Sequence, residues 1–290
     1  MPWPLPARLL LIALFVLVAG LGACAIGNYT GWSVPERTLD AQAALLRNHV
    51  EIRLPAMADG PVPAAIFLHG CGGQRSVQED YAAELLAAGY GVVLVDSNSA
   101  RGIGRFAAMT QVCTAQRLWG QERAADIPAA IAIASETPGI DADRLALIGW
   151  SHGGWTLLEA LAYAAEGRAA PSLSPQPDRA LPGVRAAIGL YPYCGFPVRA
   201  DGGEFGAGIP LYVILGGRDV VAPARDCQRL VIRAAESGRR FGYEYWPEVT
   251  HAFDERNGPP DPRMRYDADA AQRARARIIL WLEEAFADHG

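Results

Sequence analysis

Runs of Lys and Arg are missing from this 290-residue sequence, and so is any Cys/His spacing of the zinc-ligand kind. With a formal charge of −5 and no basic stripe, the chain lacks the electrostatic footprint of a nucleic-acid-binding surface, so no nucleic-acid partner is expected. No repeat at a fixed period is visible, which excludes a solenoid or a propeller. An apolar run of comfortable bilayer-spanning length is absent too. The run over 9–21 falls short of the roughly 20 residues that a transmembrane helix needs. Cysteine and histidine are sparse, at five each, so every one can be weighed individually.

What is present is a chain 51% apolar and 20% charged, a composition that suits one large globular domain. The apolar run over 9–21, preceded by a weak basic segment holding only Arg8, reads as the core of a signal peptide. It ends in Leu21-Gly22-Ala23-Cys24, which resembles the lipobox of bacterial lipoproteins, where cleavage precedes a cysteine that is then lipidated. Ordinary signal-peptidase cleavage and an uncleaved anchor are the alternatives. The expected division is a signal peptide over 1–23, a linker over 24–47 with some helical character after Thr38, and one domain over 48–290. The expected location is the periplasm or cell envelope, with a lipid anchor as the contact to the membrane. Export would place Cys71, Cys113, Cys194 and Cys227 in an oxidising compartment, where an even number permits two disulfides. Arithmetic alone leaves three pairings open.

Continuous apolar runs at 64–68, 91–95, 145–148, 184–190 and 211–215 read as buried parallel strands, with alternating strands at 49–54 and 241–246. Between them, segments at 78–88, 118–135, 155–165, 225–237 and 267–286 carry helical spacing, and Pro128 must kink or restart the second. Strands alternating with helices give an α/β protein with a mostly parallel, doubly wound sheet, in which chemistry collects at the carboxyl ends of the strands.

One such end carries Gly149-Trp150-Ser151-His152-Gly153, the GxSxG pattern of a nucleophile elbow. Glycines flank the serine because so tight a strand-to-helix turn leaves little room for side chains. A serine hydroxyl is a weak nucleophile and needs a base together with a group that orients the base. Among the histidines, His251 follows the last strand and is the expected base. His49 and His289 read as surface residues, and His69 as a brace for the glycine-rich loop that follows its own strand. Asp219 follows the strand at 211–215 and is the expected orienting carboxylate. Ser151, Asp219 and His251 stand in the chain order of the α/β-hydrolase triad. Read singly, Asp219 is equally well a helix cap and His251 a loop histidine. The backbone N–H groups of Cys71 and His152 are the expected oxyanion donors.

At this point the chain resembles the dienelactone hydrolase family, especially its exported members. The resemblance rests on HGCGG at 69–73, GWSHGG at 149–154, LYPYC at 190–194, GGRD at 216–219 and Thr250-His251. It implies an α/β-hydrolase fold, acyl transfer on a small ester and no cofactor. Ser151 stands where dienelactone hydrolases proper carry cysteine, so the implied activity is that of a serine esterase. A peptidase or amidase on the same fold, or a lipoprotein that only binds a ligand, are the rival readings. Within this frame Cys71 is expected to pair with Cys113 and Cys194 with Cys227, each pair joining segments at the carboxyl edge of the sheet. Trp155, Tyr193, Phe196 and Arg101 are candidates for the pocket wall. For Trp155 and Phe196 core packing is the alternative, and for Arg101 a salt bridge to an acid such as Asp96. The stretch 254–265 reads as a solvated loop.

Overall fold

The computed structural model describes residues 5–30, 33–199, 208–236, 241–258 and 260–287. His289 and residues 200–207 of the insertion at 191–210 lie outside them. In chain order the helices are α1 (Leu5–Thr30), α2 (Leu39–Arg47), α3 (Ser76–Ala87), α4 (Arg105–Ala107), α5 (Gly120–Arg123), α6 (Asp126–Ser135), α7 (His152–Ala165), α8 (Ala224–Glu236) and α9 (Ala268–Ala287). The strands are β1 (Val50–Arg53), β2 (Val62–Leu68), β3 (Gly91–Val95), β4 (Ile140–Trp150), β5 (Val184–Leu190), β6 (Leu211–Gly216) and β7 (Phe241–Trp246).

These strands form one sheet in the order β1-β3-β2-β4-β5-β6-β7. All pairings are parallel except that of β1 with β3, where Val50 faces Val95. Alternate residues of each strand feed opposite cores. Ile66, Leu68, Val93, Leu147 and Val213 meet α2, α6 and α7 on one face. Phe67, Leu94, Ile148, Ile188 and Ile214 meet α3 and α9 on the other. Covering both faces explains why the central strands are apolar throughout, while the edge strand β1 alternates. The result is an α/β-hydrolase fold.

Three local outcomes differ from the sequence reading or resolve it. In the span 24–47 the helical character expected after Thr38 is α2, which starts at the Thr38 cap, whose Oγ1 accepts from the Ala41 N–H, and buries Ala43 and Leu46 in the core. Pro128 does not kink a long helix. The chain breaks after Arg123 and restarts at Asp126, so the proline sits in the first turn, where its missing N–H leaves nothing unpaired. Helix α1 runs unbroken past Cys24, with Leu10 72% and Phe15 73% exposed. Its last turn meets the domain, where Tyr29 stacks on Phe196 at 6.3 Å. Among the described residues no helix is long and apolar enough to cross a membrane.

Candidate active site

The register of the sheet decides what meets at its carboxyl edge. Leu68 of β2 pairs with Gly149 of β4, and Gly149 with Gly189 of β5. The loops after β2, β4, β5, β6 and β7 therefore open on one rim. At Ser151 the backbone turns from strand to helix with φ +51° and ψ −111°, outside the ordinary regions for a residue with a Cβ. Such strain costs on the order of 1–3 kcal/mol and must be held in place by its surroundings. Here the Ser151 N–H donates to the Leu190 carbonyl at 2.9 Å, while its own carbonyl accepts from Trp155 at 3.0 Å and Tyr193 at 3.2 Å. The glycines are steric necessities. A Cβ on Gly153 would lie 1.9 Å from the Leu68 carbonyl oxygen, and one on Gly149 would lie 2.5 Å from that of Gly153.

The Ser151 Oγ lies 2.9 Å from His251 Nε2, and His251 Nδ1 lies 2.7 Å from Asp219 Oδ2. A carboxylate can only accept, so Nδ1 carries the proton and Nε2 is left to accept from the serine. Asp219 Oδ1 accepts from the N–H groups of Val221 and Ala222 at 2.9 and 2.7 Å, in the loop before α8. Each carboxylate oxygen thus has its own partners, the His251 ring on one and the backbone ahead of α8 on the other. Asp219 and His251 are buried, and Ser151 is half-buried. Across the serine, Gly70 approaches closely enough that a Cβ there would meet Ser151 Cβ at 3.6 Å. Among the described residues, no carbonyl accepts from the backbone N–H of Cys71 or His152. Two of the loops at the rim, those after β2 and β5, are tied down covalently. Cys71–Cys113 and Cys194–Cys227 are disulfides with Cα separations of 5.0 and 5.1 Å, within the range a disulfide spans.

A model of the dienelactone hydrolase family matches residues 51–286. The chain belongs to that family. A Klebsiella pneumoniae subsp. pneumoniae protein assigned to the dienelactone hydrolases superposes with a TM-score of 0.62 at 19% identity, over 81% of this chain and 92% of that one. Esterase 2 of Thermogutta terrifontis superposes with a TM-score of 0.58 at 16% identity, over 81% and 88%. At such identities these likenesses speak for the fold. A Fusarium vanettenii protein named for dipeptidyl-aminopeptidase B is 35% identical over 130 residues, 43% of this chain. The chain spans only 14% of that relative's length.

In this family member the space beside Ser151 is a slot of about 90 Å³, walled by Met109, Trp150, Tyr191, Met264 and the Cys71–Cys113 bridge. Arg75 and Glu255 also line it, with Arg75 Nε pairing with Glu255 at 2.5 Å. The expected pocket residues do not line it. Trp155 is 2% exposed and belongs to the core beneath α7, where its Nε1 donates to Glu159 at 2.9 Å. Arg101 neither reaches the slot nor pairs with Asp96. Both its Nη atoms donate to the buried Asp126, at 3.0 and 2.8 Å. Tyr193 packs on Trp155 at 5.7 Å and donates to the Phe196 carbonyl, and Phe196 stands 79% exposed against Tyr29. His69 is buried with Nδ1 donating to the Gly70 carbonyl at 2.6 Å, which makes it a brace. Burial and the neighbouring Arg123 guanidinium hold its pKa below the ordinary value.

The loop after β7 is not simply solvated. Asp254, three residues past His251, is fully buried and accepts from Tyr81 and Trp150 at 2.8 and 3.3 Å and from Tyr191 at 2.6 Å. Trp150 immediately precedes the serine, and the Tyr191 ring meets the His251 ring edge-on at 4.8 Å. One carboxylate thus joins helix α3, the elbow and the histidine loop. Sequence reasoning missed it because an Asp in a run of charges looks exposed. No local pattern in the sequence sets it apart from a solvated Asp. Among the described residues no group of three or more His, Cys, Asp or Glu side chains is arranged to hold a metal ion.

Proposed function

We propose that this member of the family is a serine hydrolase that cleaves small carboxylic esters through an acyl-enzyme. The single observation that carries this reading is the Ser151–His251–Asp219 line, with its 2.9 and 2.7 Å contacts. Ser151 attacks the ester carbonyl as its proton passes to His251 Nε2, and Asp219 keeps the imidazole oriented and stabilises the imidazolium that forms. The free N–H groups of Cys71 and His152 receive the oxyanion. His251 then gives the proton to the departing alcohol, and water repeats the sequence on the acyl-enzyme. A slot of about 90 Å³ is small beside the roughly 300–1,000 Å³ of drug-sized sites, which favours short acyl groups.

Labelling with a fluorophosphonate tests the nucleophile: wild type reacts, and Ser151→Ala takes up no label. An unlabelled wild type would return the chain to the ligand-binding reading. A panel of p-nitrophenyl esters against aminoacyl anilides separates ester from amide chemistry. Peptidase action is the second reading, favoured by the 35% identity with the Fusarium protein; faster turnover of the anilides would establish it.

Two disulfides suggest an extracellular or periplasmic protein. Within that setting we infer that α1 carries a signal segment, cleaved before Cys24, with the cysteine lipidated. The exposure of its apolar side chains and of Cys24 supports this. The intact mass of the exported protein decides it, since lipidation adds acyl chains to a chain beginning at Cys24.

A further inference from the structure

Arg123, the last residue of α5, is 0% exposed. A buried guanidinium is costly unless charge and hydrogen bonds compensate for the lost water. The compensation here is unusual in its directions. Its Nε donates to Ser97 Oγ at 2.9 Å, and its Nη1 donates to the His69 carbonyl at 2.8 Å and to His152 Nδ1 at 3.1 Å. The buried carboxylate whose charge acts on it, Asp126, is already engaged by both Nη atoms of Arg101 and by the Gln42 amide at 2.5 Å. Asp126 acts on Arg123 through its field alone. Every hydrogen bond of this cation therefore ends on a neutral group, which is not the geometry of a plain buried ion pair.

The identity of those neutral groups gives the arrangement its meaning. His69 stands two residues before Cys71, in the loop whose bend is closed by the Gly73 N–H on the Gly70 carbonyl at 3.2 Å. His152 supplies the second free N–H. One guanidinium nitrogen thus bridges the two chain segments, from different strands, that carry the two proposed oxyanion donors. Resting on the serine-hydrolase reading above, we propose that Arg123 is a positioning residue of the oxyanion hole. It holds the Cys71 loop against the start of α7 and sets a fixed positive charge behind the place where negative charge develops.

Chemistry supports both parts. Oxyanion donors work only if they are already aimed 2.7–3.1 Å from the oxygen before reaction, so the register between the loop and α7 must not relax. Without Arg123 the His69 carbonyl and His152 Nδ1 lose their shared donor in a dry interior and would turn to find another. Burial lowers the Arg123 pKa to about 10, which still leaves it charged at neutral pH. Burial, then the Arg123 charge, depress the His152 pKa, so that ring stays neutral and free to accept at Nδ1. In a low-dielectric interior a fixed charge is felt more strongly than in water.

The test compares Arg123→Met, Arg123→Lys and Ser97→Ala with wild type on a short-chain p-nitrophenyl ester, with active sites counted by fluorophosphonate titration. A trifluoromethyl ketone, which adds to the serine and carries the oxyanion, serves as the transition-state probe. Arg123→Met is expected to lose about 100-fold in kcat with a much smaller change in KM, the loss typical of one oxyanion donor. Ketone affinity should fall in step with kcat/KM across the series. Arg123→Lys, which keeps the charge but not the fork, should fall between, and Ser97→Ala should lose least. A folded variant with a lower melting temperature but wild-type kcat and ketone affinity would overturn the proposal. Should Arg123→Met not fold, the Lys and Ser97 variants decide by the same two readouts. A wild type that neither hydrolyses nor takes label would remove the hydrolase reading and this proposal together. An active wild type with unaffected variants removes only the proposal.

Discussion

Two carboxylates lie fully buried on opposite faces of the sheet, Asp126 among the α6 contacts and Asp254 beneath α3, and they behave in opposite ways. Burial works to raise the pKa of each. At Asp126 the bidentate Arg101 guanidinium outweighs it and holds the carboxyl below its ordinary value. At Asp254 the three partners are neutral, two phenols and an indole, and burial prevails, leaving the pKa raised. The charge of the partner, and not the depth of burial, separates them. Asp126 belongs to an electrostatic assembly with Arg101 and Arg123 behind the elbow. Asp254 belongs to a hydrogen-bonded clasp in front of it, between Trp150 and the His251 loop.

The comparison can be broken first at its charged member. Arg101→Met strands Asp126 without its cation and should cost about 3–5 kcal/mol in urea unfolding, the penalty for halving a buried ion pair. Asp254→Asn keeps the shape but cannot accept from all three donors, and should cost about 1–3 kcal/mol. Because Trp150 adjoins Ser151 and Tyr191 touches His251, kcat on a short ester should drop in the same variant.

Acidification sharpens the contrast, because the two groups enter with opposite signs. The depressed pKa of Asp126 contributes stability above its unfolded value of about 3.9, and this is lost as pH falls through the folded pKa. The raised pKa of Asp254 is a burden at neutral pH that lifts as pH falls through it. The stability cost of Asp126→Asn, measured by urea unfolding against wild type, should therefore shrink toward low pH, while that of Asp254→Asn should grow. Parallel curves would mean that the two carboxylates are equivalent. The smallest effect is expected at the surface: Arg47–Glu136 is an ion pair 52% and 59% exposed, and Arg47→Ala should shift stability by less than about 1 kcal/mol.

Much of the site was legible because its residues sit where chain order meets strand ends. Ser151, Asp219 and His251 each follow a strand that periodicity locates, and a parallel sheet turns those ends into one rim. Arg101 was misplaced since a charged residue in a loop gives no hint that a buried acid 25 residues on will claim it. Trp155 was ambiguous because helical spacing marks a buried face without saying whether that face meets core or cavity. Asp254 and Arg123 carry no pattern whatever, since burial of a charge depends on what several distant segments bring to it.

The amino-acid order alone determined the alternation of strand and helix, the glycines that a tight elbow demands and the succession of serine, aspartate and histidine along the chain. Those are local or ordinal properties, written in spacing and side-chain size. Only the folded chain decided the pairing of the cysteines, the tautomer of His251 and which charges are dry. These depend on distances between segments dozens of residues apart, and on water excluded by all of them at once.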